Sequence, residues 1–126
     1  MIEHVSVPIS DYGKSREFYV AALKPLDYVL QRDHPGDAVG FCEGESTSFW
    51  IVRKKEKVQP IHVALRGTSK AAVQQFHKAA LKAGGKDNGG PGFRREYGDD
   101  YYAAFVLDPD GNNIEACYFG EKAPPK

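Results

Sequence analysis

Alternation of apolar and polar residues is the first pattern along the chain. In IEHVSVPIS, Val5, Val7 and Ile9 share one face, and Ile2, His4, Ser6 and Pro8 share the other. Period two predicts a strand, and Pro8 predicts that the strand is ending there. The pattern returns in IHVALRG, where Val63 and Leu65 oppose His62, Ala64 and Arg66. After each strand the period changes. Phe18, Ala22 and Leu23 recur at i, i+4, i+5, as do Phe76, Ala80 and Leu81, which predicts two helices with one apolar stripe each. Ser10-Asp11 and Thr68-Ser69 are cap-type residues ahead of them, and Lys24-Pro25 and Gly84-Gly85 stop them. Strands are expected at 27–31, 38–42 and 48–53 after the first helix. After the second, a Gly-rich loop over 86–92 precedes strands at 93–96, 101–107 and 113–119.

These two runs of elements are one repeat. Displaced by 58 residues, His4-Val5 falls on His62-Val63, Phe18 on Phe76, and Ala21-Ala22-Leu23-Lys24 on Ala79-Ala80-Leu81-Lys82, without a gap. Residues 57–60 link the halves. The expected architecture is α+β: two tandem βαβββ modules, about 1–56 and 60–120, pairing curved sheets into a half-open barrel with helices outside and a cleft inside. Residues 121–126 form a charged, Pro-rich tail, expected to fray.

Composition narrows the function. The chain of 126 residues is long enough for one domain with its own core. Its 17 basic residues cancel its 17 acidic ones, so no positive field selects nucleic acid or an anionic membrane. No apolar run approaches the ~20 residues of a membrane span, and MIEHVSVPIS lacks the layout of a signal peptide. Cys42 and Cys117 form neither a disulfide framework nor a zinc spacing. A cytoplasmic protein that handles a small molecule is the expectation.

Candidate chemistry lies in the cleft. His4 and His62 occupy the same repeat position and point away from the apolar faces that pack on the helices. Pseudo-twofold symmetry then brings them toward each other. Glu115 shares a face with Asn113 and Cys117, while Ile114 and Ala116 take the other side. A carboxylate in such a strand is costly to bury without a cation. Two imidazoles and a carboxylate make a 2-His-1-carboxylate set suited to Fe(II) and related divalent ions. The plainer alternative is a simple His4–Glu115 hydrogen bond.

The opening strand with its His, the S-x-x-FY of Ser15 to Tyr19, and the closing FVLDPDGNNIE of Phe105 to Glu115 give the chain a resemblance. It resembles the vicinal oxygen chelate superfamily of glyoxalases, bleomycin resistance proteins and extradiol dioxygenases, over about residues 2–119. The resemblance implies paired βαβββ modules around a divalent metal ion (Fe, Ni, Mn, Co or Zn) that chelates a small-molecule substrate through paired oxygens. By position the ligands become His4, His62 and Glu115, with Glu115 also the catalytic base of related lyases. A fourth place falls near Trp50, where glyoxalase I keeps a carboxylate. Its absence here speaks against lactoylglutathione lyase activity. The resemblance also implies a homodimer, in some members with exchanged modules.

Three further residues are candidates for substrate binding. Trp50 and Arg66 have the cleft-facing phase, the one to stack and the other to hold a carboxylate or phosphate; a core indole and a solvated rim charge are the plainer readings. Tyr101 could donate to bound substrate or serve only as a strand-forming aromatic. Asp108-Pro109-Asp110-Gly111-Asn112 reads as a tight turn, not a calcium loop. The alternative function is a metal-free protein that sequesters a small molecule in the same cleft, as bleomycin resistance proteins do.

Overall fold

The computed structural model describes residues 1–125; Lys126, at the end of the expected tail, lies outside them. Strand β1 (Val5–Ile9) leads into α1 (Tyr12–Leu23), a 3-10 turn (Lys24–Leu26), β2 (Val29–His34), β3 (Ala38–Cys42) and β4 (Thr47–Arg53). Strand β5 (His62–Arg66), α2 (Lys70–Lys82), β6 (Lys86–Phe93), β7 (Tyr102–Leu107) and β8 (Asn113–Tyr118) follow. The first module's sheet has the order β1-β4-β3-β2 and the second β5-β8-β7-β6. In each, the opening strand runs parallel to the last strand of its module, and the other pairs are antiparallel. This is the expected βαβββ unit, twice, in two sheets that remain open. Among the described residues no helix is long and apolar enough to cross a membrane.

The helices begin where cap chemistry put them. Asp11 accepts from the Lys14 amide and Ser69 from the Ala72 amide. Their buried faces are Ser15, Phe18, Tyr19, Ala22 and Leu23 on α1 and Ala72, Val73, Phe76 and Ala80 on α2. Repeat partners Phe18/Phe76 and Ala22/Ala80 therefore both reach the core. That core also takes Val7, Ile9, Ile51, Leu65, Val106, Ile114 and Ala116 from the helix-facing side of the two sheets. Gly85, past the end of α2, lets the modules approach closely. A Cβ there would stand 2.5 Å from Val106, 2.6 Å from Phe18 and 2.9 Å from the Ala80 carbonyl.

Two expectations are corrected. Pro8 does not end β1, which continues to Ile9 with Pro8 opposite Val52. The strand lies at the margin of its sheet, where a residue without an N–H is tolerated. Residues 86–92 are not a loop but most of β6, and the strand expected at 93–96 gives way after Phe93 to a turn. Glycine and proline argue against a strand by propensity, but an edge strand with bulges accommodates them. The β6–β7 register slips twice, between Asp87 and Gly89 and between Gly89 and Gly92.

A polar turn ties the modules together. Asp108 accepts the amides of Asp110 (2.9 Å) and Asn112 (2.8 Å) and the Tyr19 hydroxyl (2.5 Å). The Asn112 side chain, fully buried, donates to the Pro8 carbonyl (2.9 Å) and to Asp108 (2.8 Å), and accepts the Ile61 amide (2.9 Å). Asp110 accepts the Ser10 amide at 3.0 Å. The turn at the head of β8 thus grips the end of β1, the start of α1 and the entry to β5. Burial pushes the Asp108 carboxyl up, against its hydrogen bonds from Tyr19 and Asn112. Burial and the facing Asp108 carboxylate push the Tyr19 phenol well up.

Asn112→Ala is expected to leave the Pro8 carbonyl and Ile61 amide without partners and to cost about 2–3 kcal/mol, read as a lower midpoint in urea denaturation. Alkali gives a second check. The Tyr19 phenol stays neutral in the fold but ionises near 10 once unfolded, so its contribution is complete below pH 10 and is lost as pH rises beyond it. Stability measured across that range should fall less steeply in Tyr19→Phe than in the native chain.

Candidate functional site

The face of the second sheet turned away from the helices carries the site. In the β5–β8 ladder Ala64 lies opposite Glu115, and His62 opposite Asn113. In β7–β8, Phe105 lies opposite Glu115. Residues paired in register point to the same face, so His62, Ala64, Phe105 and Glu115 share it. Ile114 and Ala116 point the other way, into the core.

Glu115 is only 2% exposed and keeps company that accounts for its burial. His62 Nε2 lies 2.8 Å from Oε1, and the Tyr101 hydroxyl donates to Oε2 at 2.5 Å. His62 itself is half-exposed, so the pair forms a buried carboxylate reached through an accessible imidazole. Burial and then the Glu115 carboxylate push the Tyr101 phenol up. Burial, with Glu115 adding, also pushes the Cys117 thiol up. Cys117 is a thiol that donates weakly toward the Leu65 carbonyl at 3.7 Å.

Of the three expected metal ligands, the structure brings together His62 and Glu115. Two donors in adjacent positions about 2.1 Å from an ion stand about 3 Å apart, so their 2.8 Å spacing fits two corners of a coordination sphere. His4 is not with them; its Nδ1 is hydrogen-bonded to Glu3. It precedes β1, and β1 and β5 are not ladder neighbours, so no register sets it opposite His62. It does line the same groove as His62, a space of about 480 Å³ that includes Tyr28, Ser48, Phe49 and Val63. Among the described residues no three His, Cys, Asp or Glu side chains converge closely enough to hold a metal ion.

Trp50 lies opposite Ser6 in β1–β4, as Glu115 lies opposite Ala64 in β5–β8, and Ser6 and Ala64 are repeat partners. Trp50 thus occupies in the first module the place Glu115 holds in the second. Its ring covers Gly40, where a Cβ would come within 3.0 Å of the indole, and stacks on His34 with centroids 5.9 Å apart. Arg66 reaches the Phe119 ring, 4.8 Å from its centroid.

The sequence reading passed over three residues of this face. Phe105 lies beside His62, centroids 6.2 Å apart, and Arg94 covers it at 5.4 Å. Phe119 packs edge-on against Tyr101 at 4.8 Å. Phe105 could have been found by phase, since in β7 it alternates with the core residues Ala104 and Val106. Arg94 could not, because its side chain arrives from a turn.

The sequence profile of the glyoxalase/bleomycin resistance protein/dioxygenase superfamily matches residues 1–116. A glyoxalase/bleomycin resistance protein from Albidiferax ferrireducens is similar at 27% identity over 92% of this chain and 96% of its own, with a TM-score of 0.78. A lactoylglutathione lyase from Agrobacterium tumefaciens shares the fold at 16% identity, covering 94% of this chain and 92% of its own, with a TM-score of 0.71. A putative glyoxalase from Bacillus halodurans shares it at 18% identity, 94% and 95% coverage and a TM-score of 0.72. No curated protein sequence matches the chain.

The Tyr101–Glu115 bond predicts a titration. In Glu115→Gln the Tyr101 phenol should ionise at lower pH than in the native protein, still above its ordinary value because burial remains. Spectrophotometric titration of both proteins checks this, and an unmoved phenol would deny the contact.

Proposed function

Because the chain belongs to the glyoxalase/bleomycin resistance protein/dioxygenase superfamily, we propose that the open face of its second module binds and transforms a small oxygenated molecule. The observation that carries this reading is the buried Glu115 carboxylate with His62 at 2.8 Å, His62 in turn lining a groove open to solvent. A solvent-reached imidazole on a buried carboxylate is a unit that can hold a proton or a cation against a substrate oxygen.

In its finer form the proposal has His62, Glu115 and His4 holding a divalent ion. Such an ion would supply Lewis-acid polarisation of paired substrate oxygens. The chain as it stands presents two of those donors together. His4 must leave Glu3 to join them, and its place on the wall of the same groove supports that movement. Tyr101 fixes one oxygen of Glu115 and so orients the other toward His62. Trp50 in the place of a fourth carboxylate leaves lactoylglutathione lyase chemistry without its usual donor set. A homodimer belongs to the same proposal, with light scattering as its check.

One observation favours a second reading. Both oxygens of Glu115 are already engaged, by His62 and Tyr101, and among the described residues no group of three His, Cys, Asp or Glu side chains forms there. A site so satisfied suits a metal-free binder that sequesters its ligand.

Elemental analysis of protein purified without a His-tag or chelator separates the two. The enzyme reading expects about one equivalent of a transition metal, at least tenfold less in His62→Ala, and a loss of similar size in His4→Ala. Native protein that neither carries nor takes up Fe, Ni, Mn, Co or Zn overturns it and leaves the metal-free binder.

A further inference from the structure

Among the described residues Arg66 is a charge without an acceptor. It leaves β5 on the site's face, opposite Cys117 and four positions along the strand from His62. Its guanidinium is held over Phe119 at 4.8 Å, and among the described residues no carboxylate or carbonyl accepts from it. The acidic residues that flank its two contacts, Cys117 and Phe119, are committed elsewhere. Glu115 is taken by His62 and Tyr101, and Glu121, two residues beyond Phe119, pairs with Lys70 at 3.3 Å. Arg94, the other cation of this face, is different, because it donates to the carbonyls of Gly90 (2.7 Å) and Gly92 (3.0 Å).

An aromatic row leads up to the free guanidinium. Tyr97 packs on Tyr101 at 5.3 Å, Tyr101 on Phe119 at 4.8 Å, and Phe119 carries Arg66. The row begins in solvent, since Tyr97 is 65% exposed. Its middle member holds the hydroxyl bonded to Glu115. An aromatic ring laid along this row meets π faces and edges, and at the row's end it meets a planar fork of N–H donors matched to a carboxylate. The Phe119 ring beneath also holds the fork in one orientation, which lowers the entropy lost when an anion docks.

We propose that the molecule taken by this face is a small planar aromatic carboxylate, its ring against Tyr97 and Tyr101 and its carboxylate on Arg66. The inference rests on the reading of the second module's open face as the small-molecule site, and it names the class of molecule that site accepts. Arg66 is then a specificity-determining residue that selects anions, apart from whatever His62 and Glu115 do to the rest of the molecule.

The test compares two probes of one shape and different charge, 2-naphthoate and 2-naphthamide, by calorimetric titration of the protein as purified. The acid is expected to bind about tenfold or more tightly than the amide, with a preference that shrinks as salt is raised. Arg66→Met, which keeps an apolar stem over Phe119, should bring the two affinities within about twofold while leaving amide binding in place. Arg66→Lys should fall between, because an ammonium keeps the charge and loses the fork. Native protein that takes up no metal should retain the preference, a result that fails the metal reading and spares this one. Equal affinities in the native protein, no binding of either probe, or a preference that survives Arg66→Met overturns the proposal.

Discussion

The turn from Asp108 to Asn112 holds the two halves of this protein in one frame. Its carboxylate and its buried amide satisfy one another, and the groups left over reach out to Tyr19, Pro8, Ser10 and Ile61. Those residues belong to α1, to β1 and its exit, and to the entry of β5. A buried amide with every group paired tolerates few alternative arrangements, because each would leave a donor or acceptor dry. The turn also sets where β8 begins. With Asn113 donating to the Ile61 carbonyl, the β5–β8 ladder starts in one register, and that register delivers Glu115 opposite Ala64 and within reach of His62.

Glu115 shows how the fold converts a liability into a site. An ionised carboxylate in the middle of a strand is expensive to bury, and core packing offers it nothing. The cost is offset only by groups that point at both of its oxygens, and on this face those are an imidazole and a phenol. Phe105, Phe119 and the two arginines over them then make the surroundings apolar at the rings and cationic above them. The helix-facing side of the same sheet has no such groups, because Ile114, Ala116, Ala104 and Val106 fill it.

The repeat has kept its frame while its two faces have diverged. Phe18 and Phe76, Ala22 and Ala80 are interchangeable core positions, buried alike in both modules. The open faces are not interchangeable. Trp50 lies over Gly40 in the first, where the second has Glu115 beside Phe105. The core positions answer to one packing problem posed twice, whereas a single site needs its groups only once.

Periodicity, caps and the 58-residue repeat were enough by themselves to determine the two βαβββ modules, their helices and the faces on which His62, Arg66 and Glu115 would lie, since these follow from local geometry. The Gly-rich β6 was illegible because pairing with β7, not propensity, makes it a strand. Symmetry set His4 toward His62, and both line one groove, but a residue ahead of its strand is bound by no ladder, and its Nδ1 is hydrogen-bonded to Glu3. Tertiary structure alone decided that Tyr101 caps Glu115, that Arg94 is spent on backbone carbonyls and that Arg66 remains free. Which charged groups find partners depends on side chains from distant strands and turns meeting in space, and no spacing along the chain records that.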